Sequence, residues 1–494
     1  MGYGRVIRVT LTAVAIAVAA MFAGCEGSEQ EEWKPQPGEA LREPLQLYSK
    51  HGVLKVELEA KRRKIEVAGS EIEAQPFNGT LIGPTLHVHP GDRIEATIRN
   101  ATGEDTNIHY HGLHVSPNGL SDNVFRTFTP DGTFESIVDL PEGHSPGTYW
   151  YHVHLHGVTE QQVMGGMSGL LVVEGLEDLL PKPLRDIRQR QLAIRDVQAE
   201  GDAIVMEDKK VDPDKPSEWL VDGQLKPHFD LASGETQLWR IANVGADRFY
   251  RVELPEHPFT VIAEDGSPVW RTFKTEQLEL PPGRRYDVLV QGGTPGNYSL
   301  KSVTLNMGRG NQEEKELAKV EVTGPMKAPY KPLPRTLPTP ARPLDSRPVA
   351  RDRRFVFTLS EEHNEFKALI NGEQFNPEIS NVAPVLGTVE QWTLVNESRE
   401  DHPFHIHVND FEVMEADGEP YHAHGLQDVV VIPNNGGEVV IRIPFEDYPG
   451  HFVFHCHILG HEDAGMMQTV DVIRPGEKPS PPPQMAQMGH SHSG

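Results

Sequence analysis

The sequence predicts an all-β chain of three consecutive Greek-key barrel or sandwich domains, and three observations predict it. One turn-and-strand pattern occurs three times at nearly even spacing. Short runs of alternating apolar and polar residues, such as Glu438-Val439-Val440-Ile441-Arg442-Ile443, have the period of a half-buried strand. Long helical periodicity is scarce, while 45 glycines and 41 prolines supply the turns that many short strands need.

The repeat is a turn glycine, a second turn, and a strand ending in asparagine. Its copies run from Asn78-Gly79 to Asn100, from Asp222-Gly223 to Asn243 and from Asn371-Gly372 to Asn396, with their first glycines 144 and 149 residues apart. A second element recurs later in each unit: Pro146-Gly147-Thr148-Tyr149-Trp150-Tyr151, Pro295-Gly296-Asn297-Tyr298-Ser299-Leu300 and Pro449-Gly450-His451-Phe452-Val453-Phe454. Each is a turn followed by strand-forming residues. This assigns one domain each to residues 45–178, 185–324 and 351–475 of the 494.

Residues 325–350 read as a stiff linker, because eight prolines fall between Pro325 and Pro348. Residues 476–494 read as a disordered tail. At the other end, Arg5 and Arg8 precede an apolar run from Val9 to Ala20, the layout of an export signal over residues 1–24. The stretch Met21-Phe22-Ala23-Gly24-Cys25 resembles a bacterial lipobox, although Phe22 departs from the usual leucine-like residue. That resemblance implies cleavage before Cys25 and its acylation. The expected place of the mature chain is therefore periplasmic or at the cell surface, touching a membrane only through an anchor at Cys25.

A net charge of −26, from 72 acidic and 46 basic residues, argues against nucleic acid as a partner and favours small cations or neutral molecules. With only two cysteines, Cys25 and Cys456, no disulfide framework is expected. The chain is expected to be a monomer.

Four histidine clusters carry the chemistry: His109-Tyr110-His111-Gly112, His152-Val153-His154, His402-Pro403-Phe404-His405-Ile406-His407, and His455-Cys456-His457 followed by His461 and Met466. A His-X-His pair on a strand turns both rings to one face. Imidazole suits several metals, but a thiolate with two imidazoles and a thioether is a soft set that selects copper in an electron-transferring geometry. The repeat then places the pairs. His109 and His405 each lie nine residues beyond Asn100 and Asn396, and His152 and His455 each lie five beyond Gly147 and Gly450. Four pairs at two equivalent positions in two domains imply that the first and third domains face each other across one metal site. The second domain has Lys301 and Val303 where the second pair would stand, and its expected role is to hold the other two apart at the right distance. The first domain has Thr106, Val153, Val158 and Val163 where the third has His402, Cys456, His461 and Met466. Only the third can hold a mononuclear thiolate site.

In order and spacing these clusters resemble the four motifs of the three-domain multicopper oxidases, the laccase, cuprous oxidase and ferroxidase family, over residues 45 to 475. The resemblance implies cupredoxin-like domains and four coppers per chain. By position, His402, Cys456, His461 and Met466 resemble the type 1 ligands and His109 with His405 the type 2 ligands. His111, His152, His154, His407, His455 and His457 resemble the ligands of the type 3 pair. The implied reaction oxidises a small reducing substrate or metal ion at type 1, passes electrons through Cys456 to the adjacent histidines, and reduces O2 at the other three coppers. Glu462 matches the family's proton relay, and Asp122, after a short insertion, the carboxylate near type 2.

Three rivals are weaker. A copper nitrite reductase has two such domains, not three. A copper-free scaffold loses ligands, and none is missing here. A copper-sequestering lipoprotein is favoured only by the acidic composition and by the Met485 to His492 tail. Other histidines carry smaller expectations: His87 and His89 at the surface, His156 in a supporting hydrogen bond, His422 and His424 in a loop near the type 1 edge. Between Asn371 and Met466 only Met414 intervenes, so a methionine-rich metal lid in the third domain is not expected. Phenols, Cu(I) and Fe(II) stay open as electron donors.

Overall fold

The computed structural model describes residues 38–67, 70–200, 203–204, 217–326, 331–339, 343–362, 365–483 and 486–487. The export signal, Cys25, Met485 and residues 488–494 lie outside the described residues. The chain is nearly all β. No helix among the described residues is long and apolar enough to cross a membrane.

Each domain is a pair of sheets closed over its own core. In the first, a sheet containing Thr85–Val88, Ser168–Val173, Gly147–His152 and His109–His111 packs against Val53–Lys61, Arg93–Ala101 and Thr133–Asp139. The outer strands alternate strictly: in Val53–Lys61 the buried residues are Leu54, Val56, Leu58 and Ala60. The second pairs a seven-stranded with a five-stranded sheet around Trp239, Phe259 and Leu231. The third pairs a six-stranded sheet with the sheet Val429–Ile432, His402–Ile406, Gly450–Cys456 and Met467–Val472 around Trp392, Phe404 and Phe454.

The repeated residues recur because they do the same work three times. Asn78, Asp222 and Asn371 each take a positive φ beside a positive-φ glycine, the backbone of a tight type I′ turn. Each side chain then accepts a hydrogen bond from a neighbouring strand, at Glu59 N, Ala193 N and Val356 N, all at 2.8 Å. The strand-ending asparagines are buried ties. Asn100 donates to the carbonyls of Glu104 and Phe128 and accepts from Thr102 N. Asn243 does so with Arg248, Leu280 and Gly245, and Asn396 with Glu400, Ile432 and Ser398. These ties fix the loop that precedes each His-X-His position.

Two expectations about connecting segments change. The described part of the proline-rich linker lies along the second domain: Thr272 N donates to Arg335 O, and Leu333 and Leu337 pack into a small core with Leu289. Ser480, in the tail, donates through its backbone to Asp471 and accepts from Ser380, and Ala486–Gln487 pairs with Arg126–Thr127. Backbone pairing, which composition does not encode, holds that part of the tail.

Asn243→Ala removes three side-chain hydrogen bonds, two of them fully buried, and is expected to cost about 3 kcal/mol. Denaturant unfolding followed by tryptophan fluorescence checks this, and an unchanged midpoint would contradict the tie.

Candidate metal centre

The strand register is the same in the first and third domains. In the first, His152 stands opposite His109 on antiparallel strands; in the third, His455 stands opposite His405. Each domain therefore presents four imidazoles on one face. The two faces meet crosswise. His109 stacks on His407 and His111 on His405, both with ring centroids 3.8 Å apart, while His154 meets His455 at 4.7 Å and His152 meets His457 at 5.6 Å. The first ring of each pair meets the second ring of the facing pair, the signature of a two-fold interface. That rotation maps the trio His154, His407 and His455 onto His457, His111 and His152, and exchanges His109 with His405. Eight rings so divide into three, three and two.

The atoms bear out this division in part. The Nε2 atoms of His154, His407 and His455 lie 3.0 to 3.4 Å apart. In the mate, His457 Nε2 lies 3.2 Å from His111 Nδ1. His152 and His455 each donate Nδ1–H to the carbonyl of the following residue, and His405 donates to Asp428 O, which leaves Nε2 as the free acceptor. The Nε2 atoms of His109, His152 and His405 are buried without a hydrogen-bond partner. A buried acceptor left without a proton partner is costly unless a cation takes it. Burial holds His109, His111, His152, His154, His407, His455 and His457 well below the usual histidine range, so these rings stay neutral and ready to ligate.

The second candidate site lies in the third domain. Cys456 Sγ is 3.5 Å from His402 Nδ1 and 3.7 Å from His461 Nδ1, and these three residues converge within one coordination radius. Met466 is fully buried, and its carbonyl accepts from Cys456 N. Ser398 Oγ holds His402 Nε2 at 2.6 Å, so His402 also turns Nδ1 inward. Burial pushes the Cys456 thiol up, and a bound cation must expel its proton. In the first domain the matching space is filled by buried Val153 and Val163, with Thr106 donating to Gln162.

Both predicted carboxylates reach the histidines. Asp122 lies 3.0 Å from His109 Nδ1 and accepts from Tyr110 N, and burial raises it to about 8 against that bond. Glu462 sits in the short helix Leu459–Asp463, 3.5 Å from His154 Nδ1 and 3.3 Å from His455 Nδ1, with Thr159 donating to it. Burial, and then the charge of Asp463, raise it well above the usual carboxylate range. Asp463 itself accepts from Gly157, Thr159 and Glu160, closing the third domain onto the start of the first-domain helix Thr159–Met164.

The other histidines fall elsewhere. His87, expected at the surface, is buried: it stacks on Tyr48 and sits 2.6 Å from both Glu174 and Gln46. His156 packs on Phe375 and bonds the backbone of Glu462. His424 stacks on Phe273 of the second domain at 3.9 Å.

Missed from sequence was the second domain's part in the site. Arg285 donates two hydrogen bonds, of 2.6 and 2.7 Å, to the buried carboxylate of Asp428, whose Oδ1 lies 3.2 Å from His111 Nε2. Burial alone would raise Asp428, but Arg285 and His405 together outweigh it and hold the carboxyl below its usual value. Gly112, at φ +84, leaves room for the pair, since a Cβ there would overlap both side chains. Gly283 of the second domain lies against the rings of His457 and His111. The basic pair Arg284-Arg285 was the one sequence hint, and it named no partner.

Three family models, each described as multicopper oxidase, match residues 59–178, 147–321 and 346–475. A laccase of Bacillus stratosphericus is 26% identical over 469 residues, covering 81% of this chain and 90% of that protein. The multicopper oxidase mco of Staphylococcus aureus is also 26% identical, covering 84% and 88%. A solved structure described as the multicopper oxidase from Campylobacter jejuni, a metallo-oxidase, gives a TM-score of 0.76 at 25% identity, covering 90% of this chain and 98% of that one.

Arg285→Gln strands the buried Asp428 carboxylate and is expected to cost about 3–5 kcal/mol. Adding Asp428→Asn should recover part of the loss, and urea unfolding of the four forms of this cycle checks it; strictly additive losses would show that the two groups are not coupled.

Proposed function

The chain belongs to the multicopper oxidase family, and from that premise we propose that it is a four-copper oxidase coupling one-electron oxidation of a donor to four-electron reduction of O2 to water. Membership makes it a copper-dependent oxidoreductase acting on O2 and a reducing substrate. The finer reading rests on one observation above the rest, the crosswise arrangement of eight buried imidazoles with Cys456 between two of them.

The donors fit copper. Unpartnered buried imidazole nitrogens suit it, and the thiolate site is softer than iron or manganese would select. We assign His402, Cys456, His461 and Met466 to type 1, His109 and His405 to type 2, and His111, His152, His457, His154, His407 and His455 to the type 3 pair. Copper supplies the one-electron redox steps at both sites.

The chain's own residues do the rest. Cys456 is bonded through the backbone to His455 and His457, so the donor site and the cluster are joined by covalent bonds. Glu462, whose pKa burial raises well above the usual carboxylate range, would hold a proton beside His154 and His455. Asp122 orients His109 through Nδ1 and keeps its Nε2 directed inward. The second domain excludes water from one side of the cluster with Gly283. We also propose export and lipid anchoring at Cys25, on the layout of residues 1–25; Cys25→Ser should then shift the protein from the membrane to the soluble fraction. The relatives include laccases and a metallo-oxidase, and both phenols and reduced metal ions fit the reaction.

Cys456→Ser should abolish the intense visible absorption and all donor oxidation while lowering copper content by about one per chain. Retained oxidase turnover would refute the assignment. Glu462→Gln should slow reoxidation of the reduced enzyme by O2 about 10²-fold, with anaerobic reduction by donor unchanged. Stopped-flow absorption separates the two half-reactions, and equal slowing of both would remove the proton role.

A further inference from the structure

His461 turns Nδ1 toward Cys456, so Nε2 is its outward atom. What covers that atom comes from the second domain. A hairpin of Leu305–Asn306 and Asn311–Gln312 carries the tip Met307-Gly308-Arg309-Gly310 across to the third domain. The tip is anchored there: Asp401 N donates to Met307 O at 3.0 Å, and Gly308, at φ +87, lies so close to the Arg399 carbonyl that a Cβ would overlap it. The hairpin base is held by Gln312, which donates to Phe249 O and accepts from Arg248.

Arg309 spends its guanidinium on three groups. Nη1 donates to Asp247 at 2.6 Å, Nε donates to Glu400, and Nη2 sits 3.1 Å from His461 Nε2. Glu400 Oε1 is 3.4 Å from the same Nε2. The four side chains keep between 6% and 19% of their surface exposed, so this is the rim where solvent reaches the outward edge of the ligand. Phe366 flanks the ring with centroids 5.6 Å apart.

Two carboxylates beside an outward histidine nitrogen would ligate a metal cation. Here Arg309 occupies both. Its charge is permanent and delocalised over a plane that stacks on aromatic rings and pairs with anions. We propose that Arg309 selects the electron donor by charge: it denies Asp247 and Glu400 to reduced metal ions and favours anionic donors at His461. This rests on the type 1 assignment above and narrows its substrate class.

The test uses the copper-loaded full chain and Arg309→Ser, with kcat/KM measured at one ionic strength for Fe(II), an uncharged dimethoxyphenol and a disulfonated aromatic dianion. In the variant, Fe(II) should gain about tenfold and the dianion lose about tenfold, the scale of one unit charge a few ångströms away, while the phenol moves less than about threefold. Calorimetric titration with Mn(II), which binds too weakly to displace copper, should reveal one more site in Arg309→Ser than in the wild type, lost again in the Arg309→Ser, Asp247→Asn double variant. The visible absorption should not change. Three donors shifting by a common factor, no gain of a Mn(II) site, or an altered absorption would each overturn the proposal and leave Arg309 as an interdomain tie. If the serine variant does not fold, Arg309→Gln, which keeps a donor but no charge, carries the same comparison. Wild-type turnover on any one donor tests the oxidase reading; only the variant-to-wild-type ratios test this one.

Discussion

Eight buried imidazoles facing one another across a domain interface are the constraint on which the rest of the structure depends. Without a cation between them, their inward nitrogens repel and lack partners. Seven of them cannot relieve this by protonation, because burial and the neighbouring rings hold them well below the usual histidine range. Nor can they turn away, because each outward nitrogen that is held is held by a fixed acceptor: Asp122 for His109, Asp428 O for His405, and the next carbonyl for His152 and His455. The protein keeps a ligand-ready arrangement through a shell of hydrogen bonds rather than through the rings themselves.

That shell explains why three domains are needed where two carry ligands. A spacer alone would require shape complementarity and nothing more. Instead the second domain inserts a charged group, Arg285, that binds Asp428 at the point where His111 and His405 are anchored, and backs the rings with Gly283. A bidentate guanidinium is stiff in direction, so the pair sets the angle between all three domains at the cluster. Thr148, which donates to Asp287 two residues along the same second-domain strand, extends this junction away from the site. The expectation of a passive second domain missed this because it looked for histidines, and the domain contributes charge and a wall.

How much was legible follows from what kind of signal each feature leaves. Ligands were legible because His-X-His on a strand is fixed by local period, and because the repeat gave a ruler to compare domains. Val153 opposite Cys456 was readable in the same way, and the buried packing around Val153 and Val163 supplies the physical reason that no second thiolate site exists. Glu462 was readable because it adjoins a ligand in sequence. Arg285, Asp428 and Arg309 were not, since each acts across a domain boundary and none has a local pattern. His87 was misjudged for a related reason: Glu174, Gln46 and Tyr48, which satisfy it, are distant in sequence.

Departures from the two-fold relation are where function enters. A perfect two-fold pair of domains would have two thiolate sites, or none, and no preferred direction for electrons. Here the first domain has Val153 where the third has Cys456, so the thiolate-and-imidazole group exists once. The trios also differ. His407 offers Nε2 to its trio, whereas His111 offers Nδ1, because Asp428 engages its other nitrogen. The charged pair that fixes the domains is thus also what makes the two trios inequivalent. On the far side, Glu462 lies beside His154 and His455 and so serves one trio only. A buried carboxyl is near one trio and a rigid ion pair near the other, an asymmetry that the symmetric ligand set could not supply.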